Sequence, residues 1–318
     1  WVENVVIDHC SFSWSTDEVA SIWGQHDNIT FSNDIFSEGL NESFHSNDAT
    51  PGSGTMAHGF GVLLGSSPSG GHVTMQGNLM AHTVERNPLT RARNLVFLNN
   101  MVYDRGTMDF DAQSENYRTT NSTVVGNVFL RGPSYSRPTK PIELRTNSVD
   151  TMYAGSRVYM SDTYAPEVGT SLSSLVWFTG GDILSGLLST TSAPVWNSGM
   201  TVLKTTNAGV YNSILQNAGA RPADRDSVDK RIVNDVKTRG GHIINCVSAD
   251  GSARCAYNAG GWPYIGQHTR RLTLPSNPNG VASNGYTNLE NWLHSMDLST
   301  QGVTSSSSPA SPAALSVK

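Results

Sequence analysis

VTMQGNLM (73–80) sets the pattern on which this chain is built: apolar and polar residues alternate, an Asn follows, and large apolar residues resume. The pattern recurs in VVIDHCSF (5–12), ITFSNDIF (29–36), LVFLNNMV (95–102) and STVVGNVF (122–129). Such alternation is typical of a strand with one buried face. Aligned on the polar position, the five segments place one residue each in a common column: Cys10, Asp34, Asn78, Asn100 and Asn127.

The spacing of this column favours a solenoid. Its intervals are 24, 44, 22 and 27 residues, and the long interval fits either two ordinary ones or one that carries a loop over roughly 41–57. No helical pattern intervenes, whereas an antiparallel sandwich would show turns every 8–12 residues. We therefore predict an all-β fold, a right-handed parallel β-helix, in which a column of Asn bonds to the coils above and below. A second strand set is predicted between the first: EVASIW (18–23), GFGVLLG (59–65), NPLTRA (87–92), TMDFDA (107–112) and PIEL (141–144).

Helical patterns appear only in the C-terminal part. The segments 205–220, 227–238 and 286–296 predict peripheral helices, and the second places Val228, Ile232, Val233 and Val236 on one face. We expect one β-helix domain over 1–300, with helices within 205–296 packed on it. The tail 301–318 is rich in Ser, Pro and Ala and is expected to be disordered.

Composition excludes several classes of protein. Only 15% of the 318 residues are charged, against about 25% in an ordinary domain, and the net charge is −5. The slight acidity argues against a nucleic-acid partner, and the absence of a long apolar run argues against a membrane span. Abundant Ser, Thr and Asn with few Lys favour a secreted, extracellular protein. Cys246 and Cys255 form either a local disulfide or two reduced thiols.

The sharpest local feature is Arg86-Asn87-Pro88-Leu89-Thr90-Arg91. Arginines five apart face opposite sides of a regular strand. Pro88 cannot donate to a ladder, so we expect it to bend the strand and bring both guanidiniums to one surface. Two close arginines suit an anion between them, such as a carboxylated sugar. The alternative is a pair of solvated surface arginines.

Acidic residues are expected on the same face. Stacking of the second strand set would align Asp17 and Glu18 with the two arginines and then with Asp109 and Asp111. Such carboxylates either ligate a hard cation such as Ca²⁺, pair with the arginines, or stand in water. Asp8-His9 lies on the other strand set, where we interpret it as a structural hydrogen-bonded pair.

These residues resemble the pectate lyase family. Val5 to His9 is similar to the signature vWiDH, with Val6 in place of Trp, and 86–91 fits the motif RxPxxR. The resemblance covers about 2–133 most clearly and 205–293 more weakly. Further similar segments are STDE (15–18), SEGLN (37–41), HGFG (58–61), 221–236, GWP (261–263) and GYTNLE (285–290).

The resemblance implies calcium-dependent β-elimination of α-1,4-polygalacturonate, the polymer of pectin. It implies that Arg86 is the base that removes the C5 proton, that Arg91 holds the substrate carboxylate, and that Asp17 binds Ca²⁺. Ser21 stands where the family has a second calcium-binding Asp. The family also has coils before the vWiDH strand, so we expect the N-terminal coils to be missing here and the protein to be a monomer unless a second chain supplies them.

Three alternative functions remain open. A pectin lyase acting on methylated pectin would need an apolar groove without an acidic cluster. A polygalacturonase would need clustered Asp residues as acid and base. A non-catalytic β-solenoid that binds polysaccharide is the alternative from outside the enzymes.

Overall fold

The computed structural model of the chain describes most of its residues. They are 1–43, 57–65, 71–114, 118–136, 140–146, 151–180, 186–196, 200–264 and 273–301, without the side chains of 207, 300 and 301. Most of the predicted loop over 41–57 and nearly all of the tail 301–318 therefore lie outside the described residues.

Three parallel sheets form the body of the protein, and every pair of neighbouring strands in them is parallel. The first sheet contains Val2–Asp8, His26–Ser32, His72–Gln76, Asn94–Leu98, Asn121–Val125, Arg157–Ser161 and Leu188–Ser189. The second contains Ser11–Ser13, Ile35–Ser37, Leu79–Ala81, Met101–Tyr103 and Val128–Leu130. The third contains Ala20–Ile22, Val62–Leu64, Leu89–Thr90, Phe110–Ala112, Ile142–Leu144 and Val176–Phe178. Each of the first five coils gives one strand to each sheet in turn, which confirms the predicted parallel β-helix and both strand sets.

The core lies inside the coils because alternate residues of each strand point inward. In the third sheet Phe110 and Ala112 are buried in the core, whereas Asp111 between them lies on the outer face. Stacked coils place like residues in line, so Phe12 and Phe36, which are paired in register, stack with ring centroids 5.3 Å apart. The outer face of the third sheet is consequently free to carry polar and charged side chains.

The column predicted from the sequence forms a hydrogen-bonded ladder between the first and second sheets. The backbone N–H of each member donates to the side-chain oxygen of the member in the next coil: Cys10 to Asp34 at 2.8 Å, Asp34 to Asn78 at 2.9 Å, Asn78 to Asn100 at 3.0 Å and Asn100 to Asn127 at 2.8 Å. The residue before each member has left-handed backbone, as at Gly77 (φ +68°) and Gly126 (φ +65°). Asn and Gly adopt this conformation at low cost, which explains their recurrence at this corner.

Four α-helices complete the described structure: α1 (Leu172–Leu175), α2 (Gly209–Asn217), α3 (Ser227–Thr238) and α4 (Asn288–Gln301). Short 3₁₀ turns lie at Thr206–Ala208, Pro222–Asp224 and Ala253–Cys255. α2 and α3 pack on the outer face of the second sheet, where Ile214 and Ile232 join a buried apolar cluster with Leu79 and Tyr103.

The chain divides into two compact units. One comprises 1–220 and 227–263, and the other comprises 221–226 and 264–318. In the second unit α4 begins with a capping box, in which the Glu290 N–H donates to Thr287 Oγ1 at 3.1 Å and the Thr287 N–H donates to Glu290 Oε2 at 2.6 Å. A single domain over 1–300 stays a prediction.

A disulfide joins Cys246 to Cys255, with their Cα atoms 5.3 Å apart, which decides between the two states left open by the sequence. None of the helices in the described part of the chain is long and apolar enough to cross a membrane.

Candidate functional site on the outer face of the third sheet

Arg86 lies in the turn that leads into the strand Leu89–Thr90. Its backbone is left-handed, with φ +64°, and its carbonyl accepts the Val62 N–H of the preceding coil at 2.6 Å. Gly61 permits this approach, because a Cβ there would lie 2.5 Å from the Arg86 carbonyl oxygen. The strand starts only after Pro88, as a residue without an N–H requires.

The Arg86 side chain is held from two sides. It forms an ion pair with Glu18, and its guanidinium carbon lies 3.9 Å from the centroid of the Phe60 ring. Glu85 is also close, with its Oε1 3.9 Å from Arg86 Nε. About a quarter of the side chain stays exposed (24%), so the guanidinium is oriented by its neighbours and still open to solvent.

Arg91 follows the same strand and is tied to the next coil. Its Nε donates to Gln113 Oε1 at 3.0 Å, and Gln113 Nε2 in turn donates to Asp111 Oδ2 at 2.9 Å. Burial raises the pKa of Asp111, and the charge of Glu85 raises it further, although Arg145 and Gln113 oppose the shift. Glu85 beside Arg86 thus contributes to the electrostatic environment of the carboxyl group to which Arg91 is linked. That both guanidiniums reach one surface stays a prediction.

Asp17 and Glu18 form a carboxyl pair just before the strand Ala20–Ile22. Burial raises the pKa of Glu18, and a side-chain hydrogen bond with Asp17 raises it further, while the Arg86 charge lowers it. Two adjacent carboxyl groups suit a hard divalent cation, which prefers oxygen ligands. Among the described residues the only group of three potential ligands is Cys246, Asp250 and Cys255, and the disulfide occupies both of its sulfurs. Asp17 and Glu18 can therefore supply part of a calcium site, with the remaining oxygens from substrate or water.

Asp109 does not join the arginines, contrary to the stacking prediction. It is buried and forms an ion pair with Arg105 four residues earlier. Asp111 does lie on the outer face, where Arg145 Nη2 is 2.9 Å from its Oδ2. The two Asp residues differ because the side chain of Asp111 alternates with the inward Phe110 and Ala112, while Asp109 precedes the strand.

Asp8 and His9 form the expected hydrogen-bonded pair, with Asp8 Oδ2 2.6 Å from His9 Nδ1. Ser32 Oγ donates to the other Asp8 oxygen at 2.5 Å. The pair lies at the corner between the first and second sheets, so it has a local structural role.

The sequence prediction missed several members of the charged face. Phe60 contacts Arg86, and Gln113 contacts Arg91. Arg145 pairs with Asp111 and Glu143, and Trp177 lies beside Glu143 in register. The alternation in PIEL (141–144) already implied that Glu143 points outward. Trp177 carried no usable signal, because its strand lies in a region without a clear repeat.

Several curated proteins of one name are similar to this chain. No protein-family model matches the chain. A protein named probable pectate lyase C from Aspergillus fumigatus is 27% identical over 311 residues, which cover 93% of this chain and 66% of that protein. A protein of the same name from Aspergillus flavus is 28% identical over 238 residues, 75% of this chain and 50% of that protein. One from Aspergillus terreus is 32% identical over 132 residues, 42% and 27% respectively.

The chain thus spans between half and two thirds of the length of the first curated relatives it matches. Their names agree with the resemblance that the motifs carry, and the parallel coils provide the fold on which that resemblance rests. The chain is therefore similar over most of its length to fungal proteins named probable pectate lyase C, which supports a relationship to the pectate lyase family.

Proposed function

We propose that the protein is a pectate lyase-like polysaccharide lyase that cleaves α-1,4-polygalacturonate by calcium-assisted β-elimination. The observation that carries the proposal is the placement of Arg86 before and Arg91 after the strand Leu89–Thr90, with Arg86 paired to Glu18 and Arg91 linked through Gln113 to Asp111. The names of the fungal relatives support the same reaction.

In this reaction a base takes the proton from C5 of a uronate and the electron pair of that bond forms the C4–C5 double bond. The C4–O bond breaks at the same time, and the leaving glycosidic oxygen takes a proton from water. Arg86 is the proposed base, positioned by Glu18 and Phe60. Arg91 is the proposed carboxylate-binding residue, and its bond to Gln113 fixes the guanidinium. Guanidinium groups rarely lose a proton, which makes substitution of Arg86 the most informative single change.

Asp17 would hold the calcium ion together with Glu18, since an adjacent carboxyl pair is the donor chemistry that this ion prefers. When bound, calcium draws negative charge from the substrate carboxylate and makes the C5 proton more acidic. Ser21 is exposed at the position of the missing second Asp, so this chain offers fewer carboxylates there than its family.

We further propose that the protein acts outside the cell, on pectin, as a monomer. The Cys246–Cys255 disulfide supports this location, because disulfides persist in oxidising compartments.

One assay separates this proposal from its rivals. The purified protein is incubated with polygalacturonate or with methylated pectin, with calcium or with EDTA, while ultraviolet absorbance of unsaturated product and new reducing ends are both measured. We expect calcium-dependent absorbance on the unmethylated polymer. New reducing ends without absorbance would identify a hydrolase. Absorbance restricted to methylated pectin would identify a pectin lyase. Binding of the polymer without either product would indicate a non-catalytic binding protein.

A further inference from the structure

The outer face of the third sheet continues beyond Arg91 for three more coils. Parallel pairing places Asp111 beside Glu143 and Glu143 beside Trp177. Arg145 follows the strand Ile142–Leu144, as Gln113 follows the strand Phe110–Ala112. Because neighbouring strands are about 4.8 Å apart, Arg145 stands roughly 10 Å from Arg91 along the stack of coils.

Arg145 is fixed by two buried carboxyl groups. Its Nη2 lies 2.9 Å from Asp111 Oδ2, and its Nε lies 3.5 Å from Glu143 Oε1. The Arg145 side chain is 30% exposed, whereas each of the two acidic side chains is only 4% exposed. The charge presented to solvent at this place is therefore that of the guanidinium.

The acidic groups below Arg145 do not cancel this charge fully. Burial and the charge of Asp111 raise the pKa of Glu143 to about 7, even though Arg145 opposes the shift. Near neutral pH a substantial fraction of Glu143 is therefore uncharged. A carboxylated ligand that approaches this face meets Arg145 first.

Trp177 supplies an apolar surface one coil farther along. It is 39% exposed in the strand Val176–Phe178, while its neighbour Val176 is buried in the core. An exposed indole gains free energy when another flat apolar surface covers it, and the face of a sugar ring is such a surface. A guanidinium and an aromatic ring on adjacent coils thus offer the two contacts that a uronate residue can use.

We infer that Arg145 and Trp177 form an additional subsite for a galacturonate residue of the polymer, with its carboxylate on Arg145 and its ring against Trp177. This inference rests on the proposed function, because it extends the same groove away from Arg86. It explains why a strongly oriented arginine occurs in line with Arg91, and why a half-exposed tryptophan occurs in the neighbouring column with Asp111 and Glu143.

The first test compares long and short substrates. The variants are Arg145→Lys, which keeps a cation for Asp111 and Glu143 but removes the planar fork, and Trp177→Ala. Each should raise the KM for polygalacturonate about tenfold, the loss expected for one charge-assisted contact, and change kcat little. Short oligomers that do not reach this subsite should be cleaved as before. Arg157→Ala and Trp196→Ala serve as controls, because both side chains are exposed elsewhere and Trp196 is 41% exposed.

The second test measures binding without cleavage. Arg86→Ala protein, alone and combined with Arg145→Lys or Trp177→Ala, is run in native gels that contain polygalacturonate and calcium. We expect retardation of the single variant and weaker retardation of both double variants, with equal melting temperatures showing intact folding.

The outcomes separate the two proposals. Polymer cleavage with unchanged KM and unchanged retardation in the subsite variants would overturn the subsite and leave the lyase proposal standing. Wild-type protein that is retarded but does not cleave would overturn the lyase proposal, and loss of retardation in the variants would still support the subsite. Protein that neither cleaves polygalacturonate nor is retarded by it would overturn both.

Discussion

At the scale of single residues, Asp34 is the ladder member that has a carboxyl group where the members after it have an amide. The next three members are Asn, and each Asn also donates from its amide, as Asn78 Nδ2 does to the Phe31 carbonyl at 3.1 Å. Asp34 is fully buried, and its Oδ2 has no hydrogen-bond partner in the described part of the chain. Burial raises the pKa of Asp34 to about 7, although the N–H of Cys10 donates to its other oxygen. An ionised carboxylate at this place is therefore costly.

Asp34→Asn should stabilise the protein by about 1–2 kcal/mol at pH 8, because the new amide can donate where the carboxylate cannot. The folded-state pKa near 7 exceeds the ordinary value of 3.8 for an aspartate, so the wild type loses stability as the pH rises from about 4 to 7 and the variant does not. The stabilisation by Asp34→Asn should be smaller at pH 5. Urea unfolding of the wild type and the variant at both pH values measures this difference in free energy. Equal stability at pH 8 would contradict this account, and the reciprocal variant Asn78→Asp should lose stability most at high pH.

The sequence reveals the ladder residues but not the whole site. Cys10 to Asn127 could be aligned because each lies at the same point of a repeated pattern. Arg86 and Arg91 were found through their motif. Arg145 and Trp177 were not, since their importance arises from stacking against Asp111 and Glu143 in other coils, which no local pattern encodes.

At the scale of elements, α3 is anchored to the solenoid by buried charges. Arg231 on α3 forms two hydrogen bonds with Glu38, at 2.6 and 2.8 Å. His82 Nδ1 lies 2.8 Å from Asp104 Oδ2, and its Nε2 lies 3.5 Å from Asp235 of α3. Burial alone would lower the pKa of His82, but the bonds to Asp104 and Asp235 and the charges of Asp104 and Glu38 raise it to about 9.

This network predicts loss of stability in alkali. The folded-state pKa of His82 lies above the ordinary histidine value of 6.5, so its contribution to stability is complete below about pH 6.5 and disappears as the pH rises through 9. We expect the free energy of unfolding to fall by roughly 1–3 kcal/mol between pH 7 and 10. His82→Gln should flatten this dependence, whereas His72→Gln, at an exposed histidine, should keep it. If the free energy of unfolding of His82→Gln fell between pH 7 and 10 as steeply as that of the wild type, this role of His82 would be contradicted.

Element boundaries show why sequence reading was easier for sheets than for helices here. The strands of the third sheet are only two or three residues long, yet the first five were predicted because the coil period repeats them; the sixth, Val176–Phe178, lies where no repeat is visible. α2 begins later than the pattern suggested: a 3₁₀ turn precedes it, and Ala208 at its start has left-handed backbone. No periodicity in the sequence predicts such a kink, because the kink depends on how the segment packs on the second sheet.

At the scale of the whole molecule, the solenoid explains the low content of charged residues. Each coil buries one side of all three strands and leaves few outward positions, and the charged ones gather on the third sheet around Arg86 and at the contact with α3. The architecture could be predicted from the sequence, since it follows from one repeated pattern. The composition of the charged face could not, because its members come from five coils.

The central claim is that Arg86 removes the C5 proton, and one comparison tests it most directly. Formation of unsaturated product from polygalacturonate in calcium is followed by ultraviolet absorbance for the wild type, Arg86→Ala and the exposed control Arg157→Ala. The account predicts a loss of about a hundred- to ten-thousandfold in kcat for Arg86→Ala, as expected when a general base is removed, with the control within about twofold of the wild type. A folded Arg86→Ala protein that forms product at the wild-type rate would contradict it.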